Sequence, residues 1–317
     1  MGEESRSSSP SPLHVYKRRQ RGEAQMTLFL NQLINGLQIG SIYALIALGY
    51  TMVYGIVKLI NFAHGDIIMV GAYAALLAMT GLGLPFYVAI VVSMAACVVM
   101  GVVIERVAYR PLRSSPRISS LITAIGVSYL LQNLAQIIFT ATPRPFPTMF
   151  NVPPLNIGGL SISFVTLLTI VVSVLLMVLL QFIVRKTKTG KAMRAVSEDM
   201  DAATLMGINV DTTVSVTFAI GCALAAIGAV LYCAAYPRVQ PTMGSLPGLK
   251  AFIAAVLGGI GILPGAMLGG VIMGVAESLT KGYISSQLAD AVVYGILIVV
   301  LLVKPAGILG KRTREKV

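Results

Sequence analysis

A chain of 317 residues that is 56% hydrophobic and 11% charged, with a mean hydropathy of +0.84, cannot be a water-soluble globule. Its net charge of +12 is no nucleic-acid signature, because the basic residues stand in short clusters beside apolar runs, with little aromatic surface between them and no Trp. The composition is that of an all-α, polytopic membrane protein. Cys97, Cys222 and Cys233 fall inside its apolar segments, as small buried hydrophobes rather than disulfides or metal ligands.

Residues 1–25 are rich in Ser, Pro and charge, with Lys17, Arg18, Arg19 and Arg21 ahead of an apolar run that begins at Met26. They read either as a disordered extension or as sequence upstream of a true start at Met26. The membrane domain then covers 26–310, and 311–317 is a cytoplasmic tail. Apolar stretches of membrane length fall near 28–56, 65–82, 86–105, 118–140, 163–184, 211–235, 248–262, 263–280 and 287–303, which predicts a bundle of about eight to nine spans, some short or broken. Placing Met26 outside leaves fifteen Lys and Arg on the cytoplasmic side. Four lie outside (Arg144, Arg238, Lys250 and Lys281), and five lie in the first 25 residues. That asymmetry favours this orientation, since basic residues beside spans are retained in the cytoplasm.

Polar residues interrupt the apolar runs at a few places. Asn61, His64 and Asp66 lie in INFAHGDI, where the second apolar segment begins. Ionisable groups inside a membrane mark a path or a pair. Nearness to the interface favours the plainer alternative, a cytoplasmic turn in which Asp66 caps the next helix and His64 is solvated. A weak internal repeat relates Gly36–Tyr54 to Gly221–Tyr236, each followed by a Gly-rich segment, Gly65–Ala75 and Gly244–Gly259. It fits either inverted halves around a midplane path or a chance likeness of Gly/Ala-rich helices. Further on, Gly261, Gly265 and Gly269 carry the small-xxx-small spacing that lets helix backbones touch in lipid, and Pro264 breaks the run. Close packing and a pathway lining both suit these residues. Glu277, among apolar neighbours, is the best intramembrane carboxylate. With Lys281 four residues on, it reads as a helix-surface pair.

Between the fifth and sixth apolar runs stands a polar island, 185–210. Arg185, Lys186, Lys188, Lys191 and Arg194 open it, and acidic residues follow. Ser197 is a suitable N-cap, Glu198, Asp199 and Asp201 suit a first turn, and Gly207 a C-terminal stop, which predicts a short helix over about 198–206. Met200, Ala203 and Met206 recur at helical spacing, and small Ala202 and Ala203 would admit a close partner. No Walker A cradle is present, since Gly190-Lys191 and Gly310-Lys311 lack both the upstream Gly and the following Ser or Thr. Neither zinc-ligand spacing nor a nucleophile elbow occurs, so no catalytic residue, metal or cofactor is expected.

The acidic loop, with Glu198-Asp199, Ala202-Ala203, Leu205, Gly207 and Ile208, resembles the coupling loop of ABC-importer permeases. Together with GSIYALIALGYTMVYGIVKLINFAHGD (Gly40–Asp66), ERVAYRPLRSS (Glu105–Ser115) and KAFIAAVLGGIGILPGAMLGG (Lys250–Gly270), it makes the chain resemble the H-type permease of branched-chain amino-acid ABC importers from Leu28 to Gly310. The resemblance implies a multi-pass inner-membrane transport subunit that is not itself an enzyme. It also implies three kinds of partner: ATPase subunits docked on Glu198, Asp199, Ala202, Ala203 and Gly207, a second and different permease chain, and an extracytoplasmic substrate-binding protein. Asn61, His64, Asp66, Gly261, Pro264, Gly265 and Glu277 are candidates for the pathway or gate. The rival readings are an ion-coupled secondary transporter or channel, which needs a relay of intramembrane carboxylates, and a membrane enzyme, which needs a reacting constellation.

Overall fold

Helices that are apolar on every side must bury that surface against one another or against lipid. The structure, a computed structural model, describes residues 12–310 except 60, 114, 151, 158 and 159. Its elements follow the apolar runs: α1 (Pro12–Val57), α2 (His64–Thr80), α3 (Phe86–Ile104), α4 (Arg117–Phe139), α5 (Phe164–Lys186), α6 (Lys188–Glu198), α7 (Met200–Leu205), α8 (Val210–Ala235), α9 (Ser245–Gly258), α10 (Leu263–Tyr283) and α11 (Ala289–Val303). A π turn, Glu105–Tyr109, and a 3₁₀ turn, Arg110–Leu112, extend α3. Among the described residues the strands are two short antiparallel pairs, Arg144–Pro145 with Arg238–Val239 and Leu155–Ile157 with Leu160–Ile162. Residues 1–11 and 311–317 of the expected tails lie outside those described, and α1 already runs from Pro12, upstream of Met26.

Among the described residues six helices are long and apolar enough to cross a membrane: Gln25–Val57, Phe86–Leu112, Ile118–Phe139, Phe164–Lys186, Val210–Ala235 and Leu263–Tyr283. Three shorter apolar helices, α2, α9 and α11, complete the set. The centre is α1, whose residues from Ile42 to Leu48 are all buried. It packs on α10 through glycines. A Cβ at Gly36 would lie 2.7 Å from the Cα of Val275, and one at Gly40 would lie 2.9 Å from the carbonyl oxygen of Gly270, so neither position accepts a side chain. α9 and α10 form an antiparallel hairpin through the turn at Gly259 and Gly261. Gly265 backs onto Gly258 and Gly269 onto Ala254, at 2.9 Å from an added Cβ to the carbonyl carbon in both cases.

The polar island departs from the expected single helix. Its basic half is itself helical: Thr187 accepts from the Gly190 amide at 3.0 Å to start α6, whose Gly190, Met193 and Val196 face inward. Ser197 is therefore inside α6, where its hydroxyl donates to the Arg194 carbonyl instead of capping. Asp199, extended at φ −154°, ψ 116°, is the cap of α7, its Oδ1 accepting from the amides of Asp201 and Ala202 at 2.9 Å each. Asp199, expected in the first turn, is the cap instead of Ser197, since its carboxylate satisfies two orphan amides and is favoured by the helix dipole. Gly207 ends the motif with φ +81°.

Candidate functional site

The sequence-derived residues resolve into four places rather than one. The first is the start of α2. Gly221 lies eleven residues into α8, about 17 Å along its axis at 1.5 Å per residue. The Gly221 and Gly49 backbones approach there, and His64 seats its ring against the same Gly49, with Cε1 2.7 Å from where a Cβ would stand. The first residue of α2 thus sits partway along the spans rather than at their end. His64 is 1% exposed, in edge contact with Tyr50 at 4.6 Å between ring centroids, and among the described residues its Nε2 has no hydrogen-bond partner. Asp66 is also 1% exposed and Asn61 is buried, its Oδ1 accepting from the Tyr109 hydroxyl at 2.7 Å. The expected solvated turn is therefore corrected, and α2 has no side-chain N-cap. The chain turns back into the protein after α1, so that residues judged interfacial from their distance along the sequence are interior.

Opposite this end lies the start of α9. A Cβ on Gly65 would meet the Gly244 carbonyl oxygen at 2.8 Å, and one on Gly248 would meet the Gly65 Cα at 2.6 Å. Two short helices thus point their N-termini at one another inside the bundle, and they are the two Gly-rich segments that the weak repeat pairs. Beside their junction is a cavity of about 300 Å³, lined by Asp66, Ser128, Gln132, Ser245, Gly248 and Leu249 among others. Gln132 Nε2 donates to Asp66 Oδ1 at 3.0 Å, to Ser128 Oγ at 3.2 Å and to Ser245 Oγ at 3.3 Å.

The second place is the α9–α10 turn. Gly261 (φ +91°) approaches Gly55 near the end of α1, Pro264 occupies the first turn of α10, and Gly265 is buried against α9. Pro264 hence starts a helix rather than interrupting one, a position where its missing N–H costs nothing.

Glu277 forms the third: the expected pair with Lys281 is made, but the carboxylate is buried rather than on a helix surface. It is 2% exposed and accepts from the Tyr43 hydroxyl at 2.9 Å and from Lys281 at 2.6 Å. Lys250 reaches it at 2.9 Å and also reaches Asp290 at 2.7 Å. This network joins α1, α9, α10 and α11. Lys250, 6% exposed, was counted in the sequence as an outer-loop charge. The signal that would have found it is its place at the head of the apolar run AFIAAVLGG, where an intramembrane cation needs a carboxylate. At the opposite end of the spans a similar cluster holds Glu105, fully buried, with Arg113, while Asp211 pairs with Arg110 and Arg113.

The fourth is the α6–α7 loop. Glu198, Asp199 and Ala202 are exposed, and Leu205 and Met206 are 88% and 82% exposed at its tip. Ala203 is buried, so Met200, Ala203 and Met206 do not form one outward face, because Met206 lies beyond the helix where the chain turns toward Gly207. Among the described residues no group of three or more His, Cys, Asp or Glu is placed to hold a metal ion.

Comparison with known proteins then places the chain. Residues 32–302 match the family described as branched-chain amino acid transport system / permease component. The chain is 46% identical over 301 residues to the high-affinity branched-chain amino acid transport system permease protein BraD of Pseudomonas aeruginosa, covering 91% of this chain and 98% of the relative. It is 44% identical over 305 residues to LivH of Escherichia coli, a high-affinity branched-chain amino acid transport system permease protein, covering 92% and 99%. A probable branched-chain amino acid transport permease of Methanocaldococcus jannaschii is 29% identical over 287 residues, covering 85% and 89%. These relatives are transport components rather than enzymes, and with six candidate spans this chain is a multi-pass membrane protein. The chain belongs to the family of branched-chain amino acid transport system permease components.

Proposed function

We propose that this chain is a transmembrane permease subunit of an ATP-binding-cassette importer and moves branched-chain amino acids across the inner membrane. The nine apolar helices each carry the chain across, with the start of the apolar part of α1 outside and the α6–α7 loop inside. A binding protein delivers substrate from outside, a second permease chain completes the pathway, and ATPase subunits dock on Glu198, Asp199, Ala202 and the exposed tip at Leu205 and Met206. Ala203 and Gly207 set the shape of that surface rather than form it.

The observation that carries this reading is the 46% identity to a permease of this kind across 91% of the chain. The tip of α7 adds physical support: two large apolar side chains exposed on a charged loop outside the apolar spans call for a protein partner. The ion-coupled alternative needs a relay of intramembrane carboxylates, whereas Glu277 is engaged by two lysines and a tyrosine and Asp66 is bonded to the Gln132 amide rather than to a second carboxylate. Affinity purification of the tagged chain from native membranes tests the reading. An ATP-binding subunit should co-purify at near-equal amounts, and leucine uptake into membrane vesicles should require ATP. Purification of the chain without an ATPase, together with uptake driven by an ion gradient alone, would overturn it.

A further inference from the structure

The buried carboxylates of this protein are not treated alike. Glu105 pairs with Arg113, and Glu277 with Lys250 and Lys281. Asp66 is as deeply buried, yet among the described residues it has no Lys or Arg within ion-pair distance. Its partners are the Gln132 amide, at 3.0 Å, and the Ser128 hydroxyl. An intramembrane carboxylate without a counter-cation is costly, and such residues face a cavity or an ion path. Asp66 does face one, the cavity between α2, α4 and α9.

The chemistry of that cavity is divided. Its polar wall is Asp66, Ser128, Gln132 and Ser245, and its apolar wall is Phe62, Ile125 and Leu249. The start of α9 lies on the polar side at Ser245; the Ser245 and Gly248 amides bond the Thr242 and Gly244 carbonyls and Pro247 has none, which leaves the Leu246 amide and the Ser245 hydroxyl, with the partial positive charge of the helix end, to suit an anion. Cation-seeking carboxylate, anion-seeking helix end and aliphatic wall together match one kind of solute, a zwitterionic amino acid with a branched hydrocarbon side chain. The cavity opens on the outer face of α4, beside Ile125 and Tyr129, which are 40% and 63% exposed.

We propose that this cavity is a transit site for the amino acid, in which Asp66 receives the α-ammonium, the start of α9 with Ser245 receives the carboxylate, and Phe62, Ile125 and Leu249 receive the side chain. The proposal deepens the functional reading above and rests on it. The charges balance without proton transfer: the carboxylate takes an ammonium in place of part of its hydrogen bonding to Gln132 and Ser128, and releases it unchanged.

The test uses the assembled transporter, with its ATPase and binding-protein partners, in proteoliposomes. Asp66→Asn should lower leucine uptake by about tenfold or more, as loss of one member of a buried charge pair does. Because Asp66 is buried and its replacement can disturb folding, a second variant reads the cavity from its rim. Tyr129→Cys is treated with N-ethylmaleimide beside the wild-type complex, in which this chain's three cysteines are buried and which sets the background of alkylation and inhibition. Alkylation should proceed and should cut uptake of that variant by about tenfold from its own untreated rate. If the wild-type complex carries no aliphatic amino acid, the functional reading fails and this proposal with it. If the wild type carries leucine, the proposal alone is overturned by an assembled Asp66→Asn complex within about twofold of wild type. It is equally overturned by a Tyr129→Cys complex that resists alkylation or transports normally once alkylated.

Discussion

Lys250 and Glu277 show how much a single buried charge can hold. Glu277 accepts from three donors on three helices, and Lys250 divides its ammonium between Glu277 and the half-exposed Asp290. Removing one partner of such a pair leaves the other uncompensated, which costs about 3–5 kcal/mol when both are buried. Glu277→Leu leaves Lys250 with only the half-exposed Asp290 and the buried Tyr43 hydroxyl without its acceptor, and should be the most destabilising change. Lys250→Met should cost less, because Lys281 still pairs with Glu277. Lys281→Ala, removing a 37% exposed side chain, should cost about 1 kcal/mol or less. Thermal unfolding in detergent, followed by exposure of the buried Cys97, Cys222 and Cys233 to a thiol-reactive dye, measures the order. Equal losses in all three variants would show that the charges are not coupled. A surface pair between Glu277 and Lys281 is what spacing alone can yield, since i,i+4 geometry is local. The third donor arrives from residue 250 and the fourth helix from residue 290, and no local rule reaches that far.

Helix packing here depends on small residues at particular heights. α1 approaches α10 at Gly36 and Gly40, and α10 approaches α9 at Gly265 and Gly269. Without a hydrophobic force between helices in lipid, such close contacts supply the packing energy. Gly40→Leu and Gly269→Leu should therefore abolish recovery of monodisperse protein by size-exclusion chromatography, whereas Gly126→Leu, with nothing within 4 Å of an added Cβ, should be recovered normally. Recovery of all three at wild-type yield would mean that the helices have other ways to pack. The apolar runs, the positive-φ stop at Gly207 and the crowded glycines at Gly265 and Gly269 were legible in the sequence, because hydropathy, turn chemistry and residue size are local properties. What was not legible is that His64 and Asp66 lie inside. The turn at residues 58–63 looks like any interfacial loop, and only the meeting of Gly65 with Gly244 and Gly248 reveals that α2 and α9 are half-length partners. The cap was assigned to Ser197 instead of Asp199 for a related reason, since the start of α7 depends on whether the basic segment before it is itself a helix.

For the whole molecule, the central claim is that events at an ATPase are felt through α6 and α7. The geometry suits transmission. Met193 and Val196 bury one face of α6 in the core, and Arg194 and Ser197 line a small cleft with Thr51, Gly55 and Gly261, so a push carried from α7 into α6 bears on the end of α1 and on the α9–α10 turn. Glu198 and Gly207 are exposed, where substitutions usually shift stability by less than about 0.5 kcal/mol. Gly207 carries φ +81°, which a β-branched residue adopts only under strain, so Gly207→Val should tilt the tip bearing Leu205 and Met206. The most direct measurement is ATP hydrolysis by the reconstituted complex in response to leucine-loaded binding protein, for wild type, Glu198→Lys and Gly207→Val, beside pull-down of the ATPase subunit. Both variants should insert and assemble with the second permease chain, while stimulated hydrolysis falls by about tenfold. Wild-type stimulation in both, with the ATPase still bound, would contradict the coupling role of the loop.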